Sequence, residues 1–207
     1  GVDPTIPFLG VNINAYLDTW ARPKRPSMGK ARFLQVYSAA LRRFHEDVGH
    51  PIVLFSTQHH DVEISRELIS LTGLQIPLIG NYQYSHYEVT GAMRYAGLLY
   101  GMRLHSVILA SSVLTPVAGI AYQPKVEHYL KLLGLGDYVL FFDNFTEAGL
   151  YESIRNAWDA RLLIGEQLKR VIPGLKAKAN EAATIVSAID RSEQFATFFD
   201  SPTTGAI

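Results

Sequence analysis

The residues whose types and spacing could do chemistry are Arg103, His105 and Lys125. They are carried by the segments Gly101-Met102-Arg103-Leu104-His105-Ser106 and Ala121-Tyr122-Gln123-Pro124-Lys125. A glycine permits a tight turn, and the free N–H groups of a following helix's first turn make room for an anion. A guanidinium fork beside them adds paired hydrogen bonds suited to phosphate or carboxylate. A histidine at the same turn can donate to a phosphate oxygen or pass a proton, since imidazole titrates near neutrality. In the second segment, Pro124 suits the first helical position and puts Lys125 in the first turn. A cation there faces the unfavourable end of the helix dipole and gains when an anion binds beside it. Each segment taken alone has a plainer reading: Arg103 capping or pairing beside a core-edge His105, and Lys125 as a solvated lysine. Their place on neighbouring strand–helix units, at the same edge of one sheet, favours a shared site.

A third segment, Thr57-Gln58-His59-His60-Asp61, lies between an apolar run and a helix. Adjacent histidines on extended chain point opposite ways, so a shared metal ion is not expected, and no other His or carboxylate spacing supports one. A substrate-contacting loop bearing Gln58 and His60 is expected instead. Residues His45, His50, His86 and His128 read as surface or structural. The glycine-rich dinucleotide and P-loop motifs are absent, which weakens nucleotide readings of those kinds.

These loops must be positioned by alternating strands and helices. Val11 to Ala15 reads as a weak first strand, followed by a polar loop from Asp18 to Lys30. Ala31 to Val48 has Phe33, Val36, Tyr37, Ala40, Leu41 and Phe44 at helical spacing, and Gly49 stops it. The continuous apolar run Pro51 to Ser56 marks a strand buried on both faces. Asp61 is placed to cap a helix from Val62 to Thr72, which Gly73 ends. Ile76–Gly80, Leu98–Tyr100, Pro116–Ala121 and Tyr138–Phe142 read as further strands, with helices over Tyr87–Tyr95, Arg103–Val113 and Pro124–Leu133. From Thr146 the pattern is helical almost to Phe199, with a break expected at Pro173-Gly174, and the final Ser201–Ile207 is expected to be loose.

The fold class is therefore α/β: a Rossmann-like, mostly parallel sheet with helices on both faces, plus C-terminal helices. One domain over 1–207 is expected, with an α/β core over 11–145, helices over 146–199 and a tail over 200–207. Hydrophobic residues make up 48% of the 207, enough for one sizeable core. Lys+Arg equals Asp+Glu at 19 each, so charge gives no reason to expect nucleic acid or an anionic membrane as the main partner. The lack of cysteine excludes a disulfide framework, a thiolate nucleophile and Cys-ligated zinc. It also fits a reducing compartment. No signal peptide is read at the start, and Val107–Ile120 is too short and too interrupted to span a bilayer, so a cytoplasmic protein with at most peripheral membrane association is expected.

The stretch from Gly101 to Leu135 resembles the signature of the polysaccharide pyruvyltransferase family: a Gly-x-Arg-Leu-His turn, a Pro-Val-x-x-Ile strand, a Tyr-x-x-Lys turn and a helix ending near Leu-Gly-Leu. The Gln58–Asp61 turn is similar to a Gln-containing loop of that family. The resemblance implies one half of a two-domain fold of the glycosyltransferase B (GT-B) type, and transfer of a pyruvyl group from phosphoenolpyruvate onto two sugar hydroxyls as a cyclic ketal. It implies that Arg103 and His105 hold the donor's phosphate and carboxylate, with Lys125 at the family's lysine and contacts from Gly101, Leu104, Ser106, Tyr122, Gln58 and His60. No metal or cofactor is implied. The partners would be phosphoenolpyruvate, a glycan acceptor, and an N-terminal half or a second copy of the chain. Two other readings stand beside it: the nucleotide-sugar half of a GT-B glycosyltransferase or epimerase, for which Glu127 would have to hold a ribose, or a non-catalytic assembly domain.

Overall fold

A computed structural model describes residues 3, 5–15 and 29–190. The expected polar loop up to residue 28, the helical pattern beyond residue 190 and the tail lie outside the described residues. Two compact units are formed, Gly1–Lys169 and Arg170–Ile207.

The first unit is built on six strands: β1 (Phe8–Asn12), β2 (Ile52–Ser56), β3 (Leu78–Gly80), β4 (Ala96–Gly101), β5 (Val117–Ala121) and β6 (Val139–Phe141). Between and after them come α1 (Lys30–Val48), α2 (Asp61–Thr72), α3 (His86–Met93), α4 (Leu104–Ser112), α5 (Pro124–Leu132), α6 (Glu147–Asp159) and α7 (Arg161–Asp190). The sheet runs β3-β2-β1-β4-β5-β6, and each described pairing is parallel. Parallel neighbours need crossover helices, and those helices cover both faces. Accordingly α2, α1 and α6 adjoin one another along one face, and α3, α4 and α5 along the other. The expected Rossmann-like α/β class is what the chain adopts.

Apolar runs became the inner strands because a strand covered on both faces has no solvent side to keep polar. Every residue of β1 and β2 is buried. The helices stop at Gly49 and Gly73, both left-handed, as their positions suggested.

Two expectations need correction. The first strand is not Val11–Ala15 but Phe8–Asn12, at the centre of the sheet. Gly10 hid it, since glycine lowers strand propensity. A Cβ at Gly10 would come within 3.0 Å of Leu99 Cδ1 and 3.2 Å of Phe55 Cε2, so packing against β4 and β2 leaves little room there for a side chain. The helical tail breaks at Ala160, not at Pro173-Gly174; Pro173 lies inside α7. Proline withholds one N–H, a loss a long helix can absorb. At the true break, the Arg161 guanidinium turns back to donate to the Trp158 carbonyl at 2.8 Å and lies over its ring, satisfying a helix end.

The core contains a contrast that predicts a measurement. Tyr37 and Tyr100 are fully buried, and burial pushes both phenols up. Tyr100 Oη shares a 2.7 Å hydrogen bond with Ser153 Oγ, whereas Tyr37 Oη meets no partner among the described residues. Tyr100→Phe is expected to lose about 1 kcal/mol, the net worth of one hydrogen bond. Tyr37→Phe should match or exceed wild-type stability, because it removes an unpaired buried hydroxyl. Urea unfolding midpoints for the two variants check this, and a marked loss for Tyr37→Phe would refute it.

Candidate functional site

The strand order reverses direction between β1 and β4, so the loops leaving their carboxyl ends diverge to opposite faces and open a crevice. Parallel pairing brings the ends of β1, β2, β4 and β5 to the same edge. The sequence-predicted segments emerge there.

Asn12 ends β1 and is fully buried. Its amide donates to the Phe55 carbonyl of β2 at 2.9 Å, and its Oδ1 accepts from the Arg103 backbone N–H at 3.0 Å. The Ser106 hydroxyl also reaches Asn12 Oδ1, at 2.8 Å, and the Arg103 carbonyl at 2.7 Å. One asparagine from β1 thus fixes the turn that starts α4. Arg103 itself is the extended residue capping α4, so the helix begins at Leu104, one position after the start read from sequence.

The Arg103 side chain is largely covered, and it meets the carboxylate of Asp61, which is fully buried. Nε donates to Oδ2, and Nη2 donates to Oδ1 at 2.7 Å. The Ala15 backbone N–H adds a further bond to Asp61 Oδ1 at 2.9 Å. A bidentate, buried pair of this kind is strong and directional. Asp61 was expected as the cap of α2, but His60 occupies that position and Asp61 is the first helical residue. Its carboxylate serves the neighbouring loops rather than its own helix. Within α2, Ser65 Oγ donates to the Asp61 backbone carbonyl at 2.6 Å.

Tyr122, at the end of β5, is buried beside this pair. Burial raises its phenol, as does the Asp61 charge, while Arg103 and a hydrogen bond with Asn14 pull the other way. The Lys125 ammonium stands 6.0 Å from the Tyr122 ring centroid, in the first turn of α5 with Pro124 at its start.

The geometry therefore brings Arg103 and Tyr122 into one cluster with Asp61 and Asn14, and sets Lys125 at its margin. His105 is exposed in the first turn of α4. Gly101 and Ser106 are buried and form the frame, with Leu104 half-buried between them. Gln58 and His60 present exposed side chains, and the Gln58 carbonyl receives Ser56 Oγ at 2.7 Å. Glu127 pairs with Lys131 at 2.6 Å on its own helix, which lowers its carboxyl. Among the described residues no group of three or more His, Asp or Glu side chains is gathered to hold a metal ion, and no helix is long and apolar enough to cross a membrane.

Sequence reasoning missed Asn12, Asn14 and the true place of Asp61. The available signal was the period-two pair of asparagines in Val11-Asn12-Ile13-Asn14, polar groups in an otherwise apolar run.

No family model matches the sequence, and no curated protein does. Solved structures do. The glycosyl transferase family 9 protein of Veillonella parvula DSM 2008 superimposes with a TM-score of 0.52 at 14% identity, covering 78% of this chain and 48% of that one. The E. coli ADP-heptose LPS heptosyltransferase II gives 0.51 at 12%, covering 74% and 46%. A putative UDP-N-acetylglucosamine 2-epimerase from Listeria monocytogenes gives 0.54 at 11%, covering 86% and 47%. The chain spans about half the length of each of these structures. Likeness at these identities establishes the fold alone: a Rossmann-like α/β half of the GT-B kind.

Proposed function

We propose that this chain is the donor-binding half of a sugar-modifying transferase, with the phosphorylated donor seated at the β1/β4/β5 edge. The observation that carries the reading is the meeting of the Gly101–Ser106 turn with Tyr122 and Lys125 at the strand-order reversal. There the α4 N-terminus would supply backbone donors, with the exposed His105 and Lys125 adding a donor and a positive charge at the same sheet edge.

Two donor classes are in view, each with its own support. The Gly-x-Arg-Leu-His and Tyr-x-x-Lys turns, which resemble those of the polysaccharide pyruvyltransferases, favour phosphoenolpyruvate. In that chemistry a proton is added to the enol methylene, a sugar hydroxyl adds to the adjacent carbon and loses its proton, and phosphate departs with the C–O bonding pair. A second hydroxyl then adds to the oxocarbenium carbon left by that departure and loses its proton, closing the ketal. His105 would give the proton or neutralise the departing phosphate, and Lys125 would stabilise phosphate charge. The likeness to glycosyltransferases and an epimerase favours the second class, a nucleotide-activated sugar, whose diphosphate would use the same helix N-termini.

Calorimetric titration with phosphoenolpyruvate and, separately, with uridine diphosphate discriminates the two. His105 and Lys125 are exposed, so His105→Ala and Lys125→Ala leave the core untouched. Each is expected to weaken the binding donor about tenfold or more, a charge-assisted contact being worth roughly 1.5–3 kcal/mol. If neither donor bound, or binding ignored both substitutions, the reading would fail.

A further inference from the structure

We infer that Asp61 is a positioning residue that aims the Arg103 guanidinium at the donor; the inference rests on the donor-site reading above. Three loops meet at its carboxylate. The loop after β1 contributes the Ala15 N–H, the loop after β4 contributes Arg103, and Asp61 itself begins the helix after β2. Both carboxylate oxygens are used, and the group has no exposure to solvent.

The geometry restricts what the arginine can do. A guanidinium is planar, with five N–H donors in a fixed fork. Holding Nε and Nη2 on a buried carboxylate fixes the plane and the direction of the whole group. The Arg103 backbone is fixed independently by Asn12 Oδ1. With main chain and head group both tied, the arginine loses little rotamer freedom on binding, which is how preorganisation raises affinity. Asp61 itself, being fully buried, would not touch the donor.

The test is a double-variant cycle on the full chain: wild type, Asp61→Asn, Arg103→Lys and the double variant, each first shown to melt cooperatively. Affinities are read by calorimetry with phosphoenolpyruvate and uridine diphosphate. Asp61→Asn is expected to weaken the binding probe tenfold or more. In the Arg103→Lys background the same change should add little, because the fork it orients is gone. Losses that multiply would show that Asp61 acts independently of Arg103 and would overturn the inference. If wild type binds and Asp61→Asn binds equally well, the positioning role falls while the donor reading stands. If wild type binds neither probe, the donor reading falls and takes this inference with it. Should Asp61→Asn fail to fold, the wild-type chain still decides. Its Arg103 Nε–H resonance, assigned by its loss in Arg103→Lys, should exchange slowly with water and shift on saturation with the binding probe. Fast exchange, or no shift at saturation, would overturn the proposal.

Discussion

Gly119→Ala is expected to be the most damaging single-methyl substitution in the sheet, lowering stability by about 3 kcal/mol or more. Gly119 of β5 lies opposite Gly101 of β4, and a Cβ there would stand 2.1 Å from the Gly101 carbonyl oxygen. The neighbour is backbone, hydrogen-bonded into the ladder, so it cannot rotate aside as a side chain would. Relief requires β4 and β5 to separate at their carboxyl ends. Those ends carry Arg103 on one strand and Tyr122 with Lys125 on the other. The substitution should therefore lower the urea midpoint sharply and abolish donor binding even under conditions where the variant remains folded. A near-wild-type midpoint would mean the strands can part at little cost, and would weaken the picture of a rigid shared edge.

Arg103→Ala should lower stability by about 3–5 kcal/mol, the range for removing one partner of a buried ion pair. The reason is the carboxylate left behind. Asp61 is fully buried, and deletion of the guanidinium leaves it only the Ala15 N–H among the bonds described above. Arg103→Lys keeps a positive charge in reach but forfeits the bidentate fork, and a smaller loss is expected. The exposed pairs Lys30–Glu67 and Lys169–Glu166 provide the internal control. Breaking either should change stability by no more than about 1 kcal/mol, since solvent screens them. Denaturant titration of the four variants tests the ranking. An Arg103→Ala loss no greater than that of the surface pairs would show that water reaches Asp61 and that the pair does not tie its three loops together.

Much of the framework was legible along the chain because the forces behind it are local. Pro51–Ser56 and Pro116–Ala121 announced buried strands by being apolar on both sides of the pleat, and α1 announced itself by apolar residues at helical spacing ending at Gly49. The loops bearing Arg103, His105, Tyr122 and Lys125 were identified because each follows such a strand and precedes such a helix. Where two local signals conflicted, the reading slipped. Gly10 argued against a strand that packing against Leu99 and Phe55 imposes, and Pro173 argued for a break that α7 does not make.

By itself the sequence determined the α/β class, most element types, and which residues could do chemistry at the ends of strands. The tertiary structure alone decided that β1 is central and that the strand order reverses beside it. It also decided that Asp61 reaches Arg103 across 42 residues and that Asn12 reaches the same turn across 91. The physical reason is the range of the interactions. Periodicity, helix stops and apolar runs are properties of a few consecutive residues. The partner of a buried carboxylate is set by which strands lie side by side, and strand order arises from the packing of the whole sheet.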